Sequence, residues 1–228
     1  MKTFETLGEV TTPDGKALTL HRRGDDVWIY LDGAELMGSR DPGSERALAA
    51  LGCAGLAKRP APRVLVGGLG FGFTVRAVLE ELPQVAEVVV AEKFPIVAEW
   101  NREVLGGIYR RTLTDSRVNL AVGDVRRCLA PKAAFDAILL DVDNGPSAWC
   151  LETNGWLYGR AGLAALFESL NPGGMLAVWS AFQDKAFVKK LRVAGFEARA
   201  EAVRSRGSKG TWHTIFLGEK RVPRRRRR

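Results

Sequence analysis

The first 40 positions alternate apolar and polar residues in short runs, "FETLGEV", "KALTLHR" and "DVWIYLDG", separated by "PDG" at 13–15 and "RGDD" at 23–26. Alternation with a period of two, bounded by turn residues, predicts three β-strands. Val27, Ile29 and Leu31 alternate with Trp28 and Tyr30, so both faces of the third strand are apolar enough to be covered. The segment "MGSRDPGSERALAALGCAGLA" then shifts to helical spacing, with Ser44 as the expected N-cap and Glu45 in the first turn. "KRPAPR" at 58–63 breaks that helix and marks the expected domain boundary.

From Arg63 onward, apolar runs alternate with amphipathic segments. Strands are predicted at 63–67, 86–91, 117–122, 135–141 and 174–179, and helices near 73–82, 94–105, 124–130, 160–170 and 183–194. Such alternation implies a parallel sheet with helices on both faces. The last two strands, "FEARAEAVR" and "TWHTIFLGE", are joined by the polar loop "SRGSKG" without a crossover helix, so they should form an antiparallel hairpin. The expected architecture is α/β, a Rossmann-like class I methyltransferase fold. Its seven-stranded sheet should run 3-2-1-4-5-7-6 with only strand 7 antiparallel. The expected organisation is a small N-terminal β-unit at 1–40, a linking helix and linker at 41–62, a ligand-binding domain at 63–220 and a basic disordered tail at 221–228.

Composition narrows the class. The chain has 228 residues, 46% hydrophobic and 26% charged, ordinary for a globular protein with a sizeable core. No apolar run approaches the ~20 residues that cross a bilayer, and "MKTFETLGEV" lacks the apolar core of a secretory signal, so the expectation is a cytoplasmic protein without a membrane partner. Cys53, Cys128 and Cys150 are far apart and form no CxxC pair, which argues against zinc, and no metal site is expected. The net charge is +8, of which the terminal "RRRRR" supplies five. Nucleic acid is therefore expected as a partner only through that tail.

Chemistry gathers at four strand ends. In "VLVGGLGFGFTVRAVLEEL", Gly68, Gly70 and Gly72 sit between a strand and a helix, where glycines allow a tight turn and close approach of a ligand, while Phe71 and Phe73 intrude among them. Strand 86–91 runs into Glu92, about 20 residues beyond the loop, the place for an acid that accepts from ribose hydroxyls. "VNLAVGDVRRCLA" puts Asp124 and Val125 after the third strand, where Asp124 either caps a helix or lies near an adenine amino group. "AILLDVDNGP" ends in Asp141, followed by Asp143 and Asn144, at the edge where such sheets bind ligands. Together the four describe an adenosyl-ligand site, for S-adenosylmethionine (SAM) or its decarboxylated relative. Asp141 is the candidate catalytic group, orienting or accepting an amine proton. Asp143, Asn144, Trp149 and Tyr158 are substrate-side candidates, with Trp156 beside them.

With these motifs in order, the chain resembles the spermidine synthase family from "YLDGAELMGSRDPGSE" to "LNPGGMLAV". The resemblance implies retained roles for Gly68, Gly70, Gly72, Glu92, Asp124 and Asp141. It also exposes departures. Phe71 stands where the family has the aspartate of GGGDGG, which helps hold the amino group of the donor's aminopropyl arm, and Phe73 replaces the final glycine. Leu36 replaces the glutamine of LDG-x-x-Gln, and "GSER" replaces a Tyr-His pair. Asn144 with Gly145-Pro146 replaces Asp-Pro, and Glu152 stands at the tyrosine of LYT. With Phe71 unable to partner an ammonium, the reading favours a SAM-dependent transferase that moves a methyl group to a small amine-containing acceptor. The alternative is polyamine aminopropyl transfer from decarboxylated SAM, and a second is a non-catalytic adenosyl-binding scaffold. The family commonly dimerises, so a homodimer is expected.

Overall fold

The computed structural model describes residues 3–40, 42–106, 112–129, 132–142, 144–146 and 152–222. Strands β1 (Phe4–Thr11), β2 (Ala17–Arg23), β3 (Asp26–Leu31) and β4 (Ala34–Gly38) form an antiparallel sheet in chain order. The fourth strand is an addition to the three expected. Its signal is the Asp32-Gly33 pair, both at positive φ (50° and 76°), the backbone of a two-residue hairpin turn. A register shift between Ile29 and Tyr30 blurs the alternation that would have announced β4. Val27, Ile29 and Leu31 are buried, while Trp28 and Tyr30 face the other way and are half-covered. There they join Phe4 and His21 in an aromatic group, with Phe4 and His21 stacked at 4.8 Å.

Helix α1 (Gly43–Gly52) follows. Ser44 is not its N-cap: Pro42 holds that position without a side-chain bond, and Ser44 is buried inside the first turn. Its hydroxyl donates instead to Glu45 Oε2 at 2.6 Å. The reason is packing. Gly43 lies so close to Ser205 that an added Cβ would stand 2.2 Å from its carbonyl oxygen, and Ser44 beside it is buried. The helix is also more than a linker. One apolar cluster runs from Leu18 and Ile29 of the small sheet through Leu48 and Ala49 of α1 to Val66, Leu139 and Ala177 of the large sheet.

The large sheet comprises β5 (Arg63–Gly67), β6 (Glu87–Glu92), β7 (Val118–Val122), β8 (Phe135–Leu140), β9 (Leu170–Ser180), β10 (Glu197–Arg206) and β11 (Lys209–Glu219). Their spatial order is β10-β11-β9-β8-β5-β6-β7, with β11 antiparallel to both neighbours, the order expected. β5 and β8 are buried almost throughout, as parallel strands covered on both faces must be. Helices α2 (Phe73–Glu81), α3 (Pro95–Glu103), α4 (Arg160–Ser169) and α5 (Lys185–Val193) occupy their expected places. Asp184 caps α5 by accepting from the amides of Ala186 and Phe187. Two elements differ. The helix predicted at 124–130 is a single 3₁₀ turn, Val125–Cys128, since too few residues separate β7 from Pro131 for an α-helix to form. β9 begins at Leu170 rather than 174, absorbing "NPGG" through a register shift against β8.

Candidate functional site

A cavity of about 670 Å³ opens at the carboxyl ends of β5 to β8, within the range typical of small-molecule sites. The small sheet walls one side with Trp28 and Met37, and the β10–β11 hairpin walls another with Ser205 and His213. After β5 the chain turns through the glycines. Gly68 has φ +92°, and a Cβ there would come within 2.0 Å of the Asp141 carbonyl oxygen; Gly70 has φ +50°, and its Cβ would meet Met37 Sδ at 2.4 Å. The Asp141 backbone thus requires glycine at position 68, while at position 70 the positive φ favours it and Met37 is a side chain able to shift; both positions border the cavity. Asn101 of α3 steadies the turn by donating to the Gly70 carbonyl at 2.7 Å.

Glu92, at the end of β6, is buried and lines the cavity. Its Oε2 accepts from the Leu69 amide at 3.0 Å and its Oε1 from the Phe94 amide at 2.8 Å. Burial pushes its carboxyl up and these amides oppose the rise. Glu92 thus braces the glycine turn, a task the sequence did not reveal. Asp124, also on the wall, caps the 3₁₀ turn by accepting from the Arg126 amide at 2.9 Å and pairs with the Arg126 guanidinium at 2.6 Å. Partial burial works against it, but the bonds from Arg126 hold it below the usual carboxylate range. Gly123, Val125 and Asn144 complete this edge.

Asp141 follows β8, lines the cavity, and accepts from Thr74 Oγ1 of α2 at 2.6 Å. Burial pushes its carboxyl up, against that hydrogen bond. Glu45 of α1 lines the same cavity; burial, and next the charge of Asp141, push it up to about 7. Two carboxylates within reach of each other's field form a coupled pair. In sequence Glu45 reads as an ordinary first-turn acid, and only the fold shows its neighbour. At the hairpin side, the rings of Trp179 and His213 lie 4.9 Å apart. Their Nε1 and Nδ1 atoms are buried without a hydrogen-bond partner among the described residues. Burial also pushes His213 below its ordinary value, keeping the ring neutral.

Several sequence-predicted residues lie elsewhere. Phe71 is 2% exposed, packed into the core beside Phe73 with ring centroids 5.9 Å apart, and does not line the cavity. Gly72 begins α2 and is turned toward Thr112 and Asn101, also away from the cavity. Tyr158 is a core residue set edge-on to Phe187 at 5.8 Å, because the turn that carries it is drawn under α5. Trp156 packs beneath the Arg126 guanidinium. Asp143, Trp149, Cys150 and most of the arginine tail fall outside the described residues. Cys53 is buried, its thiol pushed up to about 12 by burial, and Cys128 is raised for the same reason, so neither is activated. Among the described residues no cluster of three or more potential ligands could hold a metal, and no helix is long and apolar enough to cross a membrane.

Comparison with known proteins places this geometry among relatives. The polyamine aminopropyltransferase of Mycobacterium tuberculosis is 32% identical over 165 residues, 71% of this chain and 30% of that protein; the Mycobacterium bovis enzyme of the same name matches equally. The chain thus spans about 30% of the length of the curated relatives it matches. Among solved structures, the spermidine synthase from Thermotoga maritima superposes with a TM-score of 0.72 at 17% identity, covering 94% of this chain and 72% of that one. A spermidine synthase in complex with the transition state analogue AdoDATO gives 0.71 at 18% identity over the same shares. No protein-family model matches the chain. The curated and structural neighbours point to the spermidine synthase and polyamine aminopropyltransferase family, with its class I methyltransferase-like fold. They overturn the expectation of methyl transfer, and the structure removes its premise. That expectation rested on Phe71 standing beside the donor's tail, whereas Phe71 is in the core and the carboxylates of Glu45 and Asp141, among others, line the cavity.

Proposed function

We propose that the chain binds decarboxylated SAM in this cavity and transfers its aminopropyl group to a small primary amine. The observation that carries the reading is the acidic balance of the wall. Glu45 and Asp141 have no cationic partner among the described residues, whereas Arg40 is bound by Asp26. Half-buried carboxylates with hydroxyl donors but no cation are costly in an empty protein, and a cationic ligand offsets that cost. Decarboxylated SAM brings a sulfonium and an ammonium with no carboxylate of its own, so its charge matches this wall better than that of SAM. The name of the curated relatives, polyamine aminopropyltransferase, supports aminopropyl transfer.

In this reading Glu92, which lines the cavity, faces the ribose hydroxyls, and Asp124 with Val125 borders the adenine. The acceptor nitrogen attacks the carbon attached to sulfur, the carbon–sulfur bond breaks, and methylthioadenosine departs. Asp141, its carboxyl raised by burial, receives the proton that the amine sheds. Trp179 and His213 wall the acceptor end. The test is an assay with decarboxylated SAM and a series of linear diamines. Methylthioadenosine release, together with tighter binding of decarboxylated SAM than of SAM, is expected. SAM binding at least tenfold tighter, with no methylthioadenosine released, would overturn the proposal.

A further inference from the structure

The family resemblance locates the donor's amine partner in the glycine loop, and here that loop carries Phe71, which is in the core. The ammonium chemistry must be served from another element. Glu45 occupies the cavity wall from the first turn of α1, and the helix start is fixed there by the close approach of Gly43 to the Ser205 carbonyl. Ser44 Oγ donates to Glu45 Oε2, and the backbone amide of Glu45 itself also bonds the carboxylate. On the same cavity wall Thr74 donates to Asp141 Oδ2. Each carboxylate is thus oriented by neutral donors and meets no cation among the described residues. Around them stand Glu35, Glu92 and Asp124, the cations Arg40 and Lys93, and His213. Arg40 is engaged by Asp26, and Lys93 lies over the Phe94 ring.

We infer that Glu45 is a specificity-determining residue which, with Asp141, clamps one primary alkylammonium between two carboxylates. The inference rests on the adenosyl-donor reading above and names the residue that replaces the missing loop aspartate. An ammonium has three donors, enough to bridge both carboxylates at once, since each carboxylate keeps unused acceptor capacity. A cation between the pair offsets the desolvation, and next the charge of Asp141, that raise Glu45, so its arrival favours the ionised carboxylate. The ammonium can belong to the donor's aminopropyl arm or to the acceptor amine, and the experiment separates the two.

Wild type and Glu45→Gln are compared at pH 8 in three measurements: binding of methylthioadenosine, which lacks the amine; binding of decarboxylated SAM; and KM and kcat for a diamine. If the donor's ammonium is held, wild type binds decarboxylated SAM at least tenfold more tightly than methylthioadenosine, and the variant loses most of that ratio while its methylthioadenosine affinity is unchanged. If the acceptor's ammonium is held, the diamine KM rises at least tenfold with kcat within threefold. In either case the affected constant worsens in wild type as pH falls from 8 to 6, and less steeply in the variant, which keeps only Asp141 of the pair to titrate. A folded variant, checked by near-ultraviolet circular dichroism, with neither constant altered would overturn the role of Glu45 and leave the adenosyl site standing. Wild type that fails to bind methylthioadenosine would overturn the adenosyl reading itself, and the clamp with it.

Discussion

Two acids in the same cavity show how differently a residue behaves once placed. Glu92 is buried but satisfied by backbone amides, whereas Glu45 is desolvated and, in addition, held against the charge of Asp141. The second arrangement costs stability in the empty protein. Glu45 titrates from an ordinary 4.5 to about 7 in the folded state. Below pH 4.5 it is protonated both folded and unfolded and contributes no difference. As pH rises toward 7 the unfolded chain loses its proton first, so wild type is progressively destabilised and reaches its full penalty above pH 7. Glu45→Gln carries no such penalty. We expect it to be more stable than wild type at pH 8 by on the order of 1–3 kcal/mol, with the gap closing by pH 4. Urea unfolding of both proteins across that range checks the sign. Such a gain at a ligand-facing position is the usual trade between stability and function.

Among the elements, β8 has the most dependants, since its carboxyl end delivers Asp141 and its start is an anchor. Asp136 is 6% exposed, pairs with Arg59, accepts from the Arg63 amide at 2.9 Å and accepts from Asn171 at 2.9 Å. One carboxylate therefore ties the segment before β5 and the start of β9 to β8. Asp136→Ala should cost about 2–4 kcal/mol, because it strands partly buried donors as well as removing their partner. The measurement is the shift in denaturant midpoint at unchanged m-value. Methylthioadenosine affinity of the folded variant should change less than threefold, since Asp136 lies at the opposite end of the strand from the cavity.

For the whole molecule, the joint between the small sheet and the large one matters most. The cavity takes Trp28, Ile29 and Met37 from the small sheet, so the site depends on both sheets, and the apolar cluster that passes through α1 fixes their relation. The outer face of the small sheet keeps Phe4 55% exposed beside His21, Trp28 and Tyr30, and β1 is an edge strand. Unpaired edges and exposed aromatics favour pairing with a second copy. We expect a homodimer through this sheet. Light scattering should give about twice the chain mass and Phe4→Lys should shift it toward monomer; a monomer at every concentration would refute the expectation.

The order of strands was legible because its signals are local. Uninterrupted apolar runs mark strands buried on both faces, glycines mark the first turn, and the missing crossover helix before "TWHTIFLGE" forces the terminal hairpin. The positions of Gly68, Glu92, Asp124 and Asp141 at strand ends followed from the same pattern, and all four border one cavity. Orientation was not legible. Whether Phe71 looks into the cavity or the core depends on a φ of +50° at Gly70 and on Met37 filling the space above it. Whether Glu45 is a solvated acid or half of a carboxylate pair depends on α1 docking against β10, through contacts about 160 residues away in the chain. Periodicity records which residues shun water. Only the packed fold decides which charges must share a space, because that energy depends on distance and burial, quantities no linear pattern contains.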